Sequence, residues 1–171
     1  FAEARNRSLE LARGRFCLVL DADEVIRPDA GAELRRIAER DDALGALVRV
    51  ENHLDQGVRS SWLLRFFRNA AAHRYTGAIH EQVAPSLEET AKREGGRVVT
   101  SGVLVDHYGY ASEAWERRGK LERNRELLRR AVAEDTGNAY LAYKLADLLR
   151  LTSDRAGMHE MLSLIHISEP T

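Results

Sequence analysis

The feature that most constrains the fold is a short apolar run, Phe16, Cys17, Leu18, Val19 and Leu20, that ends abruptly in Asp21-Ala22-Asp23-Glu24. Such a run is too short to be a helix of its own, and it suits a strand buried on both faces of a mostly parallel sheet. Residues 1–13 precede it with helix formers, placing Ala4, Leu11 and Ala12 at helical spacing, and Gly14 is a natural C-terminal stop. A helix followed at once by a buried strand is half of an α/β unit. Acids just past the strand lie at its carboxyl end, where open α/β sheets bind their ligands. With one residue between them, Asp21 and Asp23 face the same way for as long as the chain stays extended.

Downstream, Pro28 and Asp29 open an amphipathic helix with Ala30, Leu34, Ile37 and Ala38 on one face, and Asp41-Asp42 break it. Residues 46–51 and 61–68 read as strands, which makes the sheet mixed, and residues 97–105 return to strand. Between them, residues 69–83 read as an ordered loop around Ile79-His80-Glu81. From Ser112 the strand pattern disappears. Two helices are expected, over residues 112–134 and 139–151, separated by the turn residues Asp135-Thr136-Gly137-Asn138. Tyr140, Tyr143, Leu145, Leu148 and Leu149 give the second a broad apolar face, and the pair resembles the beginning of a tetratricopeptide-type repeat.

Lysine plus arginine (26) nearly balance aspartate plus glutamate (27), so no global field gathers a polyanion, and nucleic acid is not expected as a partner. Cys17, the single cysteine, sits inside the apolar run as a small buried hydrophobe. With no disulfide framework, no signal peptide and no bilayer-length apolar stretch, the expected location is cytoplasmic.

Paired carboxylates at a strand end supply half of a site for a hard divalent cation, since Mg²⁺ or Mn²⁺ is commonly held by one or two carboxylates together with substrate phosphate oxygens. On its own, Asp-x-Asp is equally compatible with a solvated strand end. The order of the surrounding residues adds specificity. Phe1-Ala2-Glu3-Ala4-Arg5-Asn6, the apolar run with Asp21-Ala22-Asp23-Glu24, Arg65-Phe66-Phe67-Arg68-Asn69, Gly77-Ala78-Ile79-His80-Glu81 and His107-Tyr108-Gly109-Tyr110 together resemble the succession found in bacterial family 2 glycosyltransferases. The likeness is strongest to the subgroup whose catalytic domain precedes helical repeats, and it covers residues 1–147.

This resemblance implies a partial doubly wound nucleotide-sugar-binding domain with a mixed sheet over residues 1–111, followed by a helical hairpin over residues 112–161. It implies transfer of a sugar from a nucleotide-sugar donor to an acceptor hydroxyl, with Mg²⁺ or Mn²⁺ and with inversion. The acceptor, whether glycan, lipid or protein, stays open, as do peripheral membrane association and a protein partner on the helical segment. Arg5 and Asn6 match the segment beside the donor nucleotide. Asp21 and Asp23 match the motif that holds metal and donor, Asp23 being the more direct ligand. His107 matches a further metal or diphosphate contact. An inverting transfer needs a base for the acceptor hydroxyl. Glu81 is the candidate, Glu24 the reserve, and His80 an acceptor-orienting or loop-supporting residue. Against each stands a plain structural role: Glu81 pairing with Arg68 or Arg74, and Arg65 and Arg68 forming a salt-bridged strand edge rather than approaching the diphosphate. Trp62, Phe66, Phe67 and Tyr75, which could stack against a sugar, are expected to serve as core, so that none of the four is taken as a site residue.

Two other readings compete. Leu18-Val19-Leu20-Asp21-Ala22-Asp23 also resembles the opening motif of haloacid-dehalogenase-type phosphatases, but the downstream lysine and later acidic pair of that family have no convincing match, because Asp41-Asp42 follow a helix too soon. A non-catalytic helical module with a degenerate α/β remnant is the third reading. The chain starts inside a helix at Phe1, which implies upstream sequence and an isolated fragment that is inactive. At the other end, residues 162–171 resemble the translation of a transposase adaptor used in preparing sequencing libraries, and are expected to have no native role.

Overall fold

The computed structural model describes residues 2–54, 57–77, 79, 81–109 and 114–168. The chain forms two compact units, residues 1–77 with 81–112 and residues 78–80 with 113–171. The first contains α1 (Ala2–Leu11), β1 (Phe16–Leu18), β2 (Glu24–Ile26), α2 (Ala30–Ala38), β3 (Ala43–Leu54), β4 (Gly57–Arg68), α3 (Ala84–Glu94) and β5 (Arg97–His107). Its five strands make one mixed sheet in the order β1-β4-β3-β5-β2, in which only β3 and β5 are parallel.

The apolar run does form a strand, but not the expected one. β1 is an edge strand, antiparallel to β4, with Cys17 buried and Leu18 exposed. The run is apolar because Cys17 packs with Leu9 of α1 and with Phe67, while Phe16 stacks on Phe66, rather than because both faces of a central strand are covered. From β1 the chain crosses to the opposite edge, β2, within residues 19–23. Four interstrand gaps in a flat sheet would span about 19 Å, close to the full reach of that segment even without its turn. The sheet is therefore curled, and the acidic segment runs across its end.

α2 lies on one face, where Ala30 and Leu34 pack against Val48, Val50, Val103 and Val105. α3 lies on the other, where Leu87 meets Leu44, Phe67, Tyr75 and Val83. Its approach requires a glycine: a Cβ at Gly45 would stand 2.9 Å from the Phe66 carbonyl oxygen and 3.0 Å from a Leu87 methyl. α3 and the short β2 are absent from the sequence expectation, whereas α2, β3, β4 and β5 match it apart from their ends. Trp62 corrects the expectation of an aromatic core, being 49 % exposed, while Phe66, Phe67 and Tyr75 are buried.

The second unit holds three helices, α4 (Ala114–Glu134), α5 (Ala139–Leu151) and α6 (Arg155–Ser168), so a hairpin understates it. Asn138 caps α5 through its side chain, which accepts from the Leu141 amide. Leu128, Leu145, Leu149 and Met161 form its core, with Leu164 packed at the margin. No helix among the described residues is long and apolar enough to cross a membrane.

Candidate active site

The acidic segment does not stay extended. The Glu24 amide donates to the Asp21 carbonyl at 3.0 Å, closing a turn over Ala22 and Asp23. The two carboxylates consequently part company, correcting the expectation that they face one way.

Asp21 is held from both sides: Arg5 Nη2 donates to Oδ1 at 2.9 Å and Arg65 Nη2 to Oδ2 at 2.8 Å. The same Arg65 nitrogen reaches Glu24, whose side chain is 3 % exposed, and Arg5 Nε donates to Glu81 Oε1 at 2.6 Å. The result is a continuous row, Glu81–Arg5–Asp21–Arg65–Glu24, of three carboxylates and two guanidinium groups. Burial pushes the Asp21 carboxyl upward, but the hydrogen bonds and charges of Arg65 and Arg5 outweigh it and hold the group below the usual aspartate range. For Arg5, burial acts downward and its bonds to Glu81 and Asp21 prevail, raising it. Arg65 Nε is buried without a hydrogen-bond partner among the described residues.

Asn6, one residue along α1, spends its whole side-chain amide on the loop after β4, with Nδ2 donating to the Tyr75 carbonyl at 2.9 Å and Oδ1 accepting from the Tyr75 amide at 2.8 Å. Arg5 also lies 5.5 Å from the Tyr75 ring centroid. α1 thus presents Arg5 while Asn6 fastens the helix. Glu81 pairs with Arg5 and not with Arg68 or Arg74, which bind backbone carbonyls of residues 40–43 and of Ala70 and His73 instead. Its second oxygen accepts no bond from a described residue. His80 and Tyr110 lie outside the described residues.

Asp23 has different surroundings. Its side chain is 46 % exposed, and Oδ2 lies 3.3 Å from His107 Nε2. The Asp23 carbonyl accepts from the Tyr108 amide at 3.0 Å, and Asn52 Oδ1 lies 2.8 Å from His107 Nδ1, fixing the ring. Gly109 completes this corner. A Cβ there would collide with Asp23 Oδ2 and stand 2.7 Å from His107 Nε2, so the residue type leaves room for the carboxylate and the imidazole to approach each other. The strand register explains the meeting: Glu24 of β2 pairs with His107 of β5, which carries Asp23 to the end of β5.

The family described as Glycosyl transferase family 2 matches residues 1–96, more than half of the chain. The chain belongs to glycosyl transferase family 2. Among curated relatives of this family 2 chain, a TPR repeat-containing protein of Synechococcus elongatus is 36 % identical over 151 residues, 87 % of this chain and 38 % of its own length. The succinoglycan biosynthesis protein ExoO of Rhizobium meliloti is 36 % identical over 115 residues, 67 % of this chain and 28 % of its own. The chain thus spans well under half of either relative. The name of the first relative fits the helical unit that follows the family 2 match, and membership in the family displaces the phosphatase reading of Asp21.

Arg65 and Glu24 are the site residues that sequence reasoning undervalued. The signal was present in Arg65-Phe66-Phe67-Arg68, where an arginine precedes two buried aromatics, but only the curl of the sheet brings β4 beside the acidic turn.

Proposed function

We propose that this chain is part of an enzyme that transfers a sugar from a nucleotide-sugar donor to an acceptor hydroxyl, with inversion at the anomeric carbon and with Mg²⁺ or Mn²⁺ as cofactor. The observation that supports this best is the exposed Asp23 carboxylate beside His107, one residue from a two-arginine cluster. The donor set fits a hard cation shared with substrate phosphates: Asp23 offers an accessible carboxylate oxygen, Gly109 leaves room at it, and Asp21 is already committed to arginines. Once bound, such a cation supplies Lewis-acid neutralisation of the charge that builds on a departing diphosphate.

The chain's own residues do the rest. Asp23 supplies the carboxylate ligand, with His107 beside it as a further diphosphate or metal contact. Arg65 holds the Asp21 carboxyl below its usual range and pairs with Glu24, so the acidic turn keeps its shape when a polyanion arrives. Arg5 lines the donor side with a guanidinium suited to phosphate oxygens, and Asn6 fastens the helix that carries it. Glu81 takes the acceptor proton on the oxygen that Arg5 does not hold. The Arg5 contact also favours a second role for Glu81, orienting Arg5 toward the donor, and loss of donor affinity instead of turnover in a Glu81 variant marks that role.

The test is an Asp23→Asn variant of the full-length protein, titrated with nucleoside diphosphate in the presence and absence of Mg²⁺ or Mn²⁺. The wild type should bind more tightly with metal, and the variant should lose that difference with its circular dichroism unchanged. Metal-stimulated binding and sugar transfer that survive the substitution would refute the assignment.

A further inference from the structure

The sheet face opposite α2 is only partly covered. α3 packs on it where Leu44 and Phe67 lie, and the other half bears an ordered polar row from β3, β5 and Arg27, with its carboxylates half-buried and exposed aromatics at its margins. Because Val48 and Val50 pack on the α2 side, the alternation of β3 sends Arg49, Glu51 and His53 to this face. Arg49 Nη2 lies 3.1 Å from Glu51, Arg27 Nη2 donates to Glu51 at 2.7 Å, and Arg27 grips Asp106 through two bonds of 2.9 and 3.0 Å. His53 Nε2 lies 2.8 Å from Asp106, and its ring stacks on Tyr108 with centroids 4.8 Å apart. Tyr108 (51 % exposed) stands at one end, and Trp62, paired with Arg49 in the register, at the other. Four residues of β3 separate His53 from Arg49, so the two aromatic plates are about 13 Å apart along the strands.

We propose that this face binds a saccharide chain, which makes the acceptor of the transferase a glycan; the acceptor assignment rests on the function proposed above. A sugar ring presents apolar C–H faces and edges of hydroxyl groups. Exposed aromatic plates suit the first, and fixed carboxylates and guanidinium groups suit the second. The mutual ion pairs hold Glu51, Asp106 and Arg27 in place before a ligand arrives, which lowers the cost of ordering them on binding. Other occupants fit poorly. A lipid chain needs a continuous apolar groove, which the charged row interrupts. A polyanion finds both guanidinium groups neutralised by Glu51 and Asp106. The face meets the Asp23 corner only at the end of β5, where Tyr108 follows His107 and donates its amide to the Asp23 carbonyl, the two side chains leaving the strand on opposite faces of the sheet.

The experiment uses the full-length protein and a panel of linear neutral and uronic-acid-containing oligosaccharides, observed by saturation-transfer NMR and calorimetry, with nucleoside diphosphate binding measured separately. At least one oligosaccharide should bind, and Trp62→Ala and Tyr108→Ala should each weaken it about tenfold, the scale of one lost aromatic contact. Trp62→Phe should restore most of the affinity, and nucleoside diphosphate affinity should match the wild type in all three. In transfer assays the alanine variants should raise the acceptor KM more than they lower kcat. Saccharide binding that survives both substitutions, or binding of no oligosaccharide by protein that does bind nucleoside diphosphate, would overturn the proposal, as would variant-sensitive binding of lipid vesicles instead. Saccharide binding lost in the variants, in a protein without affinity for nucleoside diphosphate, would support this face while sinking the transferase reading.

Discussion

Asp21 and Asp23 are one residue apart in the same acidic turn, yet they occupy opposite kinds of surroundings. Asp21 has a guanidinium group on each oxygen and shares one of them with the buried Glu24. Asp23 is 46 % exposed, with an imidazole 3.3 Å away and a glycine in front of it. The two side chains are exposed to a similar degree, 39 % and 46 %, so the difference lies in their partners. A carboxylate with a guanidinium group on each oxygen is an anchor, whereas one with no arginine partner can give its lone pairs to a cation. The spacing of an Asp-x-Asp motif therefore does not say which aspartate does which task; the turn between them does.

The largest effect that sharpens this contrast is expected one step further along the row of charges. If the arginines leave Asp21 out of proton transfer, another carboxylate must serve, and Glu81→Gln in the full-length protein should lower transfer by roughly two to four orders of magnitude. Donor and metal affinity should stay at the wild-type level. A loss of donor affinity in place of turnover would make Glu81 the residue that orients Arg5, and full activity would return the base role to Glu24.

Removing the anchor itself comes next. Arg65→Met leaves Glu24 buried without its cation and frees one side of Asp21, which should cost about 3 kcal/mol, the lower end of the range for breaking a buried ion pair. The midpoint of urea unfolding reads this directly. Arg65→Lys should recover part of the loss, because a lysine can satisfy one carboxylate but not both with the same geometry.

How much of this was legible in the sequence depends on the range over which each feature is determined. α1, α2 and the long strands follow from local periodicity, and Asn138 as a cap from its place in a turn. The fold class and the family were readable from the order of short motifs along the chain. α3 was not read, although Pro85 at its start, Leu87 and Ala91 at helical spacing and Gly95 at its end form a usable signal. Leu87 and Ala91 alone make a narrow apolar stripe, and it becomes a buried face only against Leu44 and Phe67, which are distant in sequence. The position of β1 at an edge, the parting of Asp21 from Asp23 and the pairing of Glu81 with Arg5 arise from contacts between residues far apart in sequence, and no local pattern encodes them.

At the Asp23 corner the effect expected is smaller and concerns binding. Gly109→Ala places a methyl group where Asp23 and His107 approach, and the cheapest relief is displacement of the flexible carboxylate. Metal-stimulated binding of nucleoside diphosphate should weaken about tenfold, roughly 1.4 kcal/mol, while the unfolding midpoint moves little. Unaltered metal dependence in this variant would show that the carboxylate has no role at that position.

The smallest effects provide the sharpest comparison, because they set the two aspartates side by side in one measurement. Asp21→Asn keeps one acceptor but removes the charge that Arg5 and Arg65 share, and should cost about 1 kcal/mol at neutral pH, a modest value because the site is partly open to solvent. Asp23→Asn alters an exposed side chain outside the row and should stay within about 0.5 kcal/mol. Acid separates them further. The Asp21 carboxyl titrates lower in the folded chain than its unfolded value near 3.9, so its contribution is complete above about pH 4 and fades as the pH falls through the folded value. The stability gap between wild type and Asp21→Asn should therefore be constant from about pH 7 down to about 5 and close below about 4. Urea midpoints recorded across that range test both halves of the argument. A pH-independent gap would mean that the arginines do not hold Asp21 ionised, and an equal cost for Asp23→Asn would erase the distinction between anchor and ligand.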